Sequence, residues 1–528
     1  MEAPLWQPSE ERIRQANLTA FIKAVAEKWK LEIADFASLY HWSVEHPEQF
    51  WASVWSFCGI RASRPWEQVL VHPDRMPGAK WFVGAKLNFA ENLLRYRDEQ
   101  PALIFRSETG HRRVLSYAEL YEQAACTARS LREFGVKPGD RVAGFIPNLP
   151  ETVVAMLATT SLGALWSSCS PEFGLKGVVD RFGQIEPKVL FTADGYTYNG
   201  RNVDFLERVR GIVREIPSIE KVVVVPYLHA KPVLDGLGHA LSFANLLASE
   251  GGEMHFQQFP FDHPVYILYS SGTTGMPKCI VHGAGGTLIQ HLKEHILHVD
   301  LKRGDRMFYF TTCGWMMWNW LMSALASGAT ILLYEGSPLY PDDKVLFDVA
   351  EQERLTVFGT SASYLAAIEK AGLEPRRSHD LSALKTILST GSPLAPRSFD
   401  YVYKKVKQDV LLASISGGTD LVSCFALGNP IGPLYRGEIQ TRGLGMKVLI
   451  YDDEGRPVRG QKGELVCVAP FPSMPVGFWN DPESRHFRAA YFEVFPNVWR
   501  HGDYAELTEH DGLIIYGRSD AVLNPRGG

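Results

Sequence analysis

A short stretch rich in hydroxyl groups and glycine carries the clearest chemical signal in the sequence. Residues 270–278 read SSGTTGMPK and follow an apolar run, YILY. Glycines let a backbone approach an anion closely, and successive N–H groups and hydroxyls can surround phosphate oxygens. Lys278 adds a positive charge at the end of the stretch. The spacing G-x-x-x-x-G-K-[ST] of a Walker loop is not present in it. The pattern predicts a phosphate-binding loop of another type, and an ordinary Ser/Thr/Gly turn is the alternative.

Strand-like and helix-like segments alternate over residues 101–435, and these elements must position the loop. PALIFR and RVAGFIP are typical of buried strands. The segment at 115–135 is typical of an amphipathic helix. This alternation predicts an α/β fold with mainly parallel sheets. Residues 1–100, rich in tryptophan and helix formers, predict a helical leader. The short strands and turns of 436–519 predict a β-rich subdomain.

One uncharged segment could be a membrane span. Residues 307–334 contain no charged side chain, and about 20 apolar residues suffice to cross a bilayer. Gly314 and Gly328 divide the segment into a strand-like, a helix-like and a second strand-like piece. Strands buried on both faces of a parallel sheet also form continuous apolar runs. We therefore expect a buried core segment and no membrane partner.

Charge and cysteine content narrow the class of protein further. The chain of 528 residues has 54 Lys and Arg against 59 Asp and Glu, a net charge of −5. No broad basic surface is implied, so nucleic acid is not an expected partner. The seven cysteines are scattered without a CxxC pair, which argues against a zinc ribbon or a disulfide framework. Together with a start that lacks an apolar secretory segment, this predicts a cytoplasmic protein; its oligomeric state stays open.

The loop YSSGTTGMPK resembles the signature loop of the adenylate-forming acyl-CoA synthetase superfamily. Further motifs of that family follow in the same order. They are LSYAEL at 115–120, GWMMWNW at 314–320, STGSPL at 389–394, SGGTD at 416–420, KGELV at 462–466, RHGDYAEL at 500–507 and YGRSD at 516–520. The segment WFVGAKLNFAENLL at 81–94 resembles the acetyl-CoA and acetoacetyl-CoA synthetase branch, and both ends of the chain look most like the acetoacetate-activating members. The resemblance implies the large N-terminal domain of adenylate-forming enzymes, with mainly parallel sheets flanked by helices and a β-rich subdomain.

The resemblance also implies a reaction in two steps with small-molecule partners. A carboxylate attacks the α-phosphate of ATP, giving an acyl-adenylate and pyrophosphate, and the thiolate of coenzyme A then displaces AMP. ATP, Mg²⁺ and coenzyme A are the implied cofactors and co-substrates. The expected acid is a short-chain 3-oxo acid, acetoacetate. A ligase for butyrate-like or branched acids and a nucleotide-binding protein without turnover are the alternatives.

Individual residues take roles through the matching motifs. Lys278, Thr419 and Asp420 are implied in catalysis, with Thr419 at the α-phosphate and Asp420 at Mg²⁺ in place of the family's usual Glu. Asp503 and Arg518 would meet the ribose, although an exposed salt bridge is the alternative for that pair. A turn-forming Asp is the alternative for Asp420. The implied ATP and AMP site comprises Ser270, Ser271, Gly272, Thr273, Thr274, Gly275, Lys278, Gly391, Ser392, Pro393, Ser414, Ile415, Ser416, Gly417, Gly418, Thr419, Asp503 and Arg518.

The resemblance places the acyl group against Trp315, Met316, Met317, Thr390 and Gly417. Acetate-activating relatives have Trp where Gly417 stands, so we expect glycine to leave room for an acid larger than acetate. Core packing is the alternative for the Trp and Met residues. Arg201 matches one of two family arginines at the nucleotide phosphate of coenzyme A, and Tyr198 stands at the other position.

The last implied feature is a hinge. Asp520 matches the hinge to a small C-terminal domain that carries a lysine assisting adenylation, and 520–528 would be the hinge and the start of that domain. We therefore expect a chain of 528 residues to bind nucleotide and to adenylate poorly.

Overall fold

The structure is a computed structural model that describes residues 2–271 and 275–519. Its α-helices are α1 Glu10–Gln15, α2 Asn17–Trp29, α3 Phe36–Glu45, α4 Pro47–Phe57, α5 Phe89–Leu93, α6 Tyr117–Glu133, α7 Pro150–Ser161, α8 Leu175–Ile185, α9 Leu206–Glu215, α10 Phe243–Leu246, α11 Ala284–Leu292, α12 Met316–Met322, α13 Val345–Gln352, α14 Ala362–Lys370, α15 Pro375–Ser378, α16 Pro396–Tyr401 and α17 Arg485–Tyr491. A π-helical segment, Lys293–His298, continues α11, and a 3₁₀ segment, Ser323–Ser327, continues α12.

The strands, in chain order, are β1 Gln68–Val71, β2 Lys80–Val83, β3 Lys86–Leu87, β4 Pro101–Ser107, β5 Arg112–Ser116, β6 Arg141–Phe145, β7 Leu165–Cys169, β8 Val189–Ala193, β9 Gly195–Tyr198, β10 Arg201–Asp204, β11 Lys221–Val225, β12 Ala240–Ser242, β13 Phe259–Pro260, β14 Pro264–Ser270, β15 Lys278–Gly283, β16 Arg306–Tyr309, β17 Thr330–Glu335, β18 Val357–Ser361, β19 Thr386–Thr390, β20 Leu411–Ser414, β21 Ser416–Gly418, β22 Ser423–Leu427, β23 Thr441–Arg442, β24 Val448–Tyr451, β25 Gly463–Cys467, β26 Gly477–Phe478, β27 Trp499–Leu507 and β28 Leu513–Arg518.

Two large sheets form the centre of the molecule. Within the described residues, one has the order β12-β11-β8-β6-β7-β14-β15-β26 and is parallel up to β14. The other has the order β20-β19-β18-β16-β17-β4-β5 and is parallel up to β4. Antiparallel pairing is confined to one end of each sheet, at β14/β15/β26 and β4/β5. This arrangement agrees with the parallel α/β pattern predicted from the sequence.

Helix α6, predicted from the sequence, begins at a capping group. Helix α6 starts at Ser116, whose side chain accepts a hydrogen bond from the Glu119 N–H while the Glu119 side chain accepts from the Ser116 N–H. This capping box satisfies two N–H groups that the helix cannot pair itself. The predicted apolar face of α6, which includes Leu120 and Ala124, is fully buried.

The uncharged segment 307–334 is core, as expected. It forms β16, α12 and β17, and every residue of β17 is buried. Gly328, with φ 78°, ends the helical part in the left-handed region that suits glycine. Across the described residues, no helix is both long and apolar enough to span a membrane.

Residues after 435 form antiparallel structure, as predicted, with the sheet β24-β25-β27-β28. The leader contains α1–α5 but also the short antiparallel pair β1/β2, which the helical prediction missed. Leader side chains are bonded to distant parts of the chain. The Trp6 indole donates to Asp409 at 3.0 Å, and the Tyr40 hydroxyl donates to the Met446 carbonyl at 2.7 Å. The boundaries 1–100, 101–435 and 436–519 stay predictions.

Candidate active site

A cleft of about 760 Å³ lies at the carboxyl ends of parallel strands in the second sheet. Residues at the ends of β18, β19 and β20 line it, which is where ligands bind in open α/β sheets. It gathers most of the site residues predicted from the sequence. These are Trp315, Met316, Met317, Thr390, Gly391, Ser392, Pro393, Ser414, Ile415, Ser416, Gly417, Gly418, Thr419, Asp503 and Arg518. Motifs that lie up to about two hundred residues apart in sequence therefore share one cavity.

The segment 414–419 runs along the cleft and is held at its start by the neighbouring strand. The Ile415 N–H donates to the Ser389 carbonyl at 2.8 Å, and the Thr390 hydroxyl donates to the Ile415 carbonyl at 3.1 Å. Both bonds come from the end of β19, which also leads into Gly391. The predicted adenine loop and the predicted phosphate segment are thus positioned by the same strand.

Two buried histidines hold the other end of this segment. His282 on β15 donates through Nε2 to the Thr419 carbonyl at 2.9 Å, and His501 on β27 donates through Nε2 to the Gly417 carbonyl at 2.9 Å. Burial lowers the pKa of His282 to about 4, so its ring is neutral at neutral pH. Because a carbonyl only accepts, the proton of His282 must be on Nε2. Neither histidine was predicted from the sequence.

Three further histidines are buried nearby on α11 and its π-helical continuation. Burial lowers the pKa of His291 to about 3, of His295 to about 4 and of His298 to about 3. Each ring bonds to a backbone carbonyl, at 2.5, 2.7 and 2.9 Å respectively. His282, His291, His295 and His298 are thus neutral side chains that each hydrogen-bond to a main-chain carbonyl. We call these four residues the buried histidines; His501 is not one of them.

Gly417 is glycine because another strand passes too close for a side chain. A Cβ at this position would lie 2.0 Å from the Ser423 carbonyl oxygen and 2.7 Å from the Cys424 Cα, both on the paired strand β22. Real Cβ contacts essentially never fall under 3.0 Å. The expectation that Gly417 leaves an empty volume for extra carbons is therefore wrong. The space where a Cβ would point is filled by the backbone of β22, although Gly417 itself lines the cleft.

Asp420 lies beside the phosphate-loop lysine. Its Oδ1 is 3.5 Å from Nζ of Lys278 and accepts a hydrogen bond from the Tyr491 hydroxyl. Burial alone would raise the pKa of the Asp420 carboxyl. The charge of Lys278, the proximity of His501 and the tyrosine hydrogen bond outweigh burial and hold the pKa of Asp420 below its ordinary value. Asp420 is thus an ionised carboxylate with defined partners, which a turn-forming role does not require.

The described part of the phosphate loop forms a β-hairpin. Ser270 at the end of β14 pairs with Lys278 at the start of β15. The Ser270 hydroxyl is buried and has no hydrogen-bond partner among the described residues. Ser271 and Gly275 are the described residues on either side of 272–274, and Gly275 has φ 91°. Of the predicted loop ligands, Gly272, Thr273 and Thr274 lie outside the described residues, as does the predicted hinge residue Asp520.

The predicted ribose ligands form an ion pair across neighbouring strands. Asp503 on β27 is opposite Arg518 on β28, and Nη1 of Arg518 is 3.1 Å from Oδ1 of Asp503. The Ser416 hydroxyl donates to the other carboxylate oxygen at 3.4 Å. Asp503 is buried and lines the cleft, whereas the Arg518 side chain is 49% exposed, so one partner of the ion pair is shielded from solvent. The ribose role of the pair stays a prediction. A carboxylate has about four acceptor positions and can still accept from sugar hydroxyls.

The tryptophans of GWMMWNW divide between the cleft and the core. Trp315, which precedes α12, is 52% exposed and lines the cleft with Met316 and Met317. Trp318 and Trp320 are fully buried and donate to Asn148 Oδ1 and Glu294 Oε1, each at 2.9 Å. Core packing therefore accounts for Trp318 and Trp320, and the acyl-pocket interpretation of the residues that line the cleft stays a prediction.

Arg201 lies away from the cleft, on the hairpin β9/β10 opposite Tyr198. Its turn is well anchored, because the Glu108 carboxylate accepts from the Asn199 and Gly200 N–H groups at 2.8 and 2.7 Å. A Cβ at Gly200 would meet the ring of Tyr340 at 2.8 Å. The two residues before Tyr340 line the cleft, so the hairpin is next to its rim.

Sequence reasoning missed several residues of the cleft wall. Ser361 ends β18, Tyr364 lies in the first turn of α14 just after it, and Tyr309 ends β16. Their signal was positional, because the alternation over residues 101–435 predicts parallel strands, and ligand residues cluster at the carboxyl ends of such strands. Cys424 gave no such signal. It reaches the cleft only because β22 pairs with β21.

Comparison with protein families shows to which family the chain belongs. Residues 89–474 match the family described as AMP-binding enzyme. The chain belongs to this family. Residues 36–93 also match the family described as acetyl-coenzyme A synthetase N-terminus, which corresponds to most of the predicted leader. Both matches confirm the family and the branch that the motifs indicated.

Individual relatives extend over the whole chain. The acetoacetyl-coenzyme A synthetase of Rhizobium meliloti (strain 1021) is 52% identical over 531 residues, covering 100% of this chain and 81% of the relative. The malonamoyl-CoA synthetase of Penicillium aethiopicum is 41% identical, with 100% of this chain and 75% of the relative covered. The solved structure of acetoacetyl-CoA synthetase from Streptomyces lividans matches with a TM-score of 0.94 at 45% identity, over 98% of this chain and 80% of that one. The predicted fold class is confirmed.

Proposed function

We propose that the protein is an AMP-forming acid–CoA ligase that activates acetoacetate with ATP. The observation that carries the proposal is the single cleft that joins the segment 414–419 to the wall at 315–317. An acid bound against residues 315–317 and an α-phosphate bound at Thr419 would therefore lie in the same cavity. Relatives with 52% and 45% identity are named for acetoacetate, which supports the choice of acid.

The adenylation step follows from the charges around the cleft. One carboxylate oxygen of the acid forms a bond to the α-phosphorus as the bond to pyrophosphate breaks, so negative charge passes to the leaving group. Lys278 supplies positive charge next to the phosphate loop, and the Thr419 hydroxyl can donate to an α-phosphate oxygen. His282 fixes the backbone of Thr419, so this donor is oriented before substrate binds. Such preorganisation is a large part of catalysis in transfers of this kind.

The second step uses the same acyl carbon. The thiolate of coenzyme A attacks the carbonyl carbon of the adenylate, and AMP leaves with the electrons of the bond that breaks. We place the nucleotide part of coenzyme A at the hairpin of Arg201, since its anchored turn lies beside the rim of the cleft. Arg201 is exposed on this hairpin, where a phosphate could reach it.

The residues present fit a magnesium ion bound with ATP. Asp420 is an ionised carboxylate, and among the described residues no group of three or more His, Cys, Asp or Glu side chains could hold a metal alone. Mg²⁺ commonly takes one or two carboxylates together with substrate phosphates and water. Asp420 would hold it, and the shorter side chain leaves space for a bridging water. When bound, Mg²⁺ neutralises phosphate charge.

A cytoplasmic location suits these substrates. All seven cysteines are free and buried. This is typical of a reducing compartment, where cysteine acts as a small apolar side chain.

The test is turnover by the protein in its natural full length. Acetoacetate, malonamate, butyrate and acetate are each supplied with ATP and coenzyme A, and the thioester and nucleotide products are identified. We expect AMP and pyrophosphate, with the highest kcat/KM for acetoacetate. Malonamate has nearly the same shape, with an amide NH₂ group in place of the terminal methyl group, and a relative is named malonamoyl-CoA synthetase. ADP as product, nucleotide binding without turnover, or a tenfold preference for another acid would contradict the proposal.

A further inference from the structure

A buried glutamate links the two walls that enclose the proposed acid site. Glu294 lies on the π-helical segment after α11 and is fully buried. Its Oε1 accepts from the Trp320 indole at 2.9 Å. Its Oε2 accepts from the Ser423 hydroxyl and from the Cys424 N–H, the latter at 3.3 Å. One carboxylate thus bonds both α12 and β22.

These two elements are the ones that present side chains to the acid. Helix α12 begins with Met316 and Met317, and β22 contributes Cys424. Strand β22 also carries the carbonyl that approaches Gly417. The separation of α12 from β22 therefore sets the width of the cleft next to the acyl group.

A second side chain from the same helix makes the same connection. His291 accepts from the Ser323 hydroxyl just after α12 at 2.7 Å and donates to the Val422 carbonyl just before β22 at 2.5 Å. The repeated bridge indicates that α11 and its continuation act as a spacer between the walls. Packing alone would not require two polar bridges in a fully buried region, where each unmet polar group is costly.

Lys293 lies next to the Glu294 carboxylate but does not hydrogen-bond to its oxygens. Nζ of Lys293 is 3.5 Å from Oε2 and makes no hydrogen bond among the described residues. Burial lowers the pKa of Lys293 despite the adjacent carboxylate. The oxygens of Glu294 are therefore committed to the indole, the hydroxyl and the backbone N–H of the two walls.

We propose that Glu294 is a positioning residue for acid binding, acting through Trp320 on α12 and through Ser423 and Cys424 on β22. The inference rests on the proposed function, since it assigns the acid to this wall. Glu294→Gln keeps the shape but turns one acceptor into a donor that faces other donors. One wall is then released, and the acid site widens while the phosphate loop is unchanged.

The experiment compares Glu294→Gln with Trp320→Phe in the full-length protein, using acetoacetate-dependent turnover and ATP binding. We expect the KM for acetoacetate to rise about tenfold in each variant, as for the loss of a charge-assisted hydrogen bond, and the ATP Kd to change less than about twofold. The double variant should show little further increase. Trp318→Phe is the matched control, because this equally buried tryptophan on α12 donates to Asn148 instead; its effect should add to that of Glu294→Gln.

The outcomes separate the two proposals. A purely structural role would lower the folded fraction, and hence the apparent kcat, without changing the KM of the molecules that remain. An unchanged acetoacetate KM in both variants of an active protein would overturn the inference alone. If Glu294→Gln does not fold, Trp320→Phe decides the question by the same criterion. An inactive wild-type protein would overturn the proposed function, and this inference with it.

Discussion

Replacing Gly417 by alanine tests whether the backbone or the acyl group requires glycine there. The added Cβ would lie 2.0 Å from the Ser423 carbonyl oxygen, where contacts under 3.0 Å essentially never occur. One of the paired strands must therefore move by about 1 Å. Neither atom of the clash is on a flexible side chain, so the strain falls on the segment that lines the cleft.

The size of the effect follows from the bonds that such a shift breaks. The Gly417 carbonyl accepts from Nε2 of His501 at 2.9 Å, and a lengthening of about 1 Å ends that hydrogen bond. Overpacking a fitted site costs about 1–3 kcal/mol. If that strain is relieved only by displacing the nucleotide segment, AMP affinity should fall about ten- to a hundredfold. Gly417→Trp should abolish activity with every acid and should not shift preference toward acetate.

Calorimetric titration with AMP measures the first effect, and turnover with acetoacetate and acetate measures the second. Gly477→Ala is the matched control, since Gly477 also lies in a short strand but has nothing within 4 Å of the point where its Cβ would lie. This control should bind AMP as the wild type does. Wild-type AMP affinity in Gly417→Ala would refute the close-approach argument. So would an active Gly417→Trp protein that prefers acetate.

Three other predictions follow from charges and burial. Lys278→Ala should weaken ATP binding about tenfold and AMP binding less than about twofold in calorimetry, because the Lys278 ammonium is expected to bind the β- and γ-phosphates, which AMP lacks. Equal losses of affinity for ATP and AMP would contradict this role of Lys278. Glu294→Ala should lower the free energy of unfolding in urea by about 3–5 kcal/mol, because it leaves three buried hydrogen-bond donors and the Lys293 ammonium without their acceptor; an unchanged free energy of unfolding would contradict this. The buried histidines stay neutral in the fold while the unfolded chain takes up protons below its pKa of about 6.5, so stability should be greatest above that pH and should fall by about 5 kcal/mol between pH 7 and pH 5.5. A free energy of unfolding that is flat over this range would exclude neutral buried rings.

Much of the fold could be predicted because strands buried on both faces leave a strong local signal. β17 is an apolar run ended by turn residues, and β18 and β19 of the same sheet share this pattern. The short strands β1 and β2 were missed because four residues give little periodicity and the pairing is what stabilises them.

The candidate site was partly predictable for a similar reason. The motifs at 314–320, 389–394 and 416–420 lie at or after the ends of parallel strands, and parallel strands bring their ends together, so the convergence of these three motifs on one cleft followed from the pattern. Asp503 and Arg518 lie instead within the antiparallel strands β27 and β28, whose approach to the cleft the pattern did not show. The role of Gly417 did not follow, because it depends on the register of β22, which local sequence does not reveal. His501 and Glu294 were missed because nothing in their neighbourhood shows which distant main-chain groups they bond.

The most direct test of the account is ATP–pyrophosphate exchange by the full-length protein without coenzyme A. Exchange reports the acyl-adenylate alone, since pyrophosphate must re-form ATP from an enzyme-bound intermediate. We expect exchange that requires acetoacetate and that is lost when the acid is omitted. Absence of exchange with acetoacetate, while thioester still forms once coenzyme A is present, would contradict an adenylate formed in this cleft.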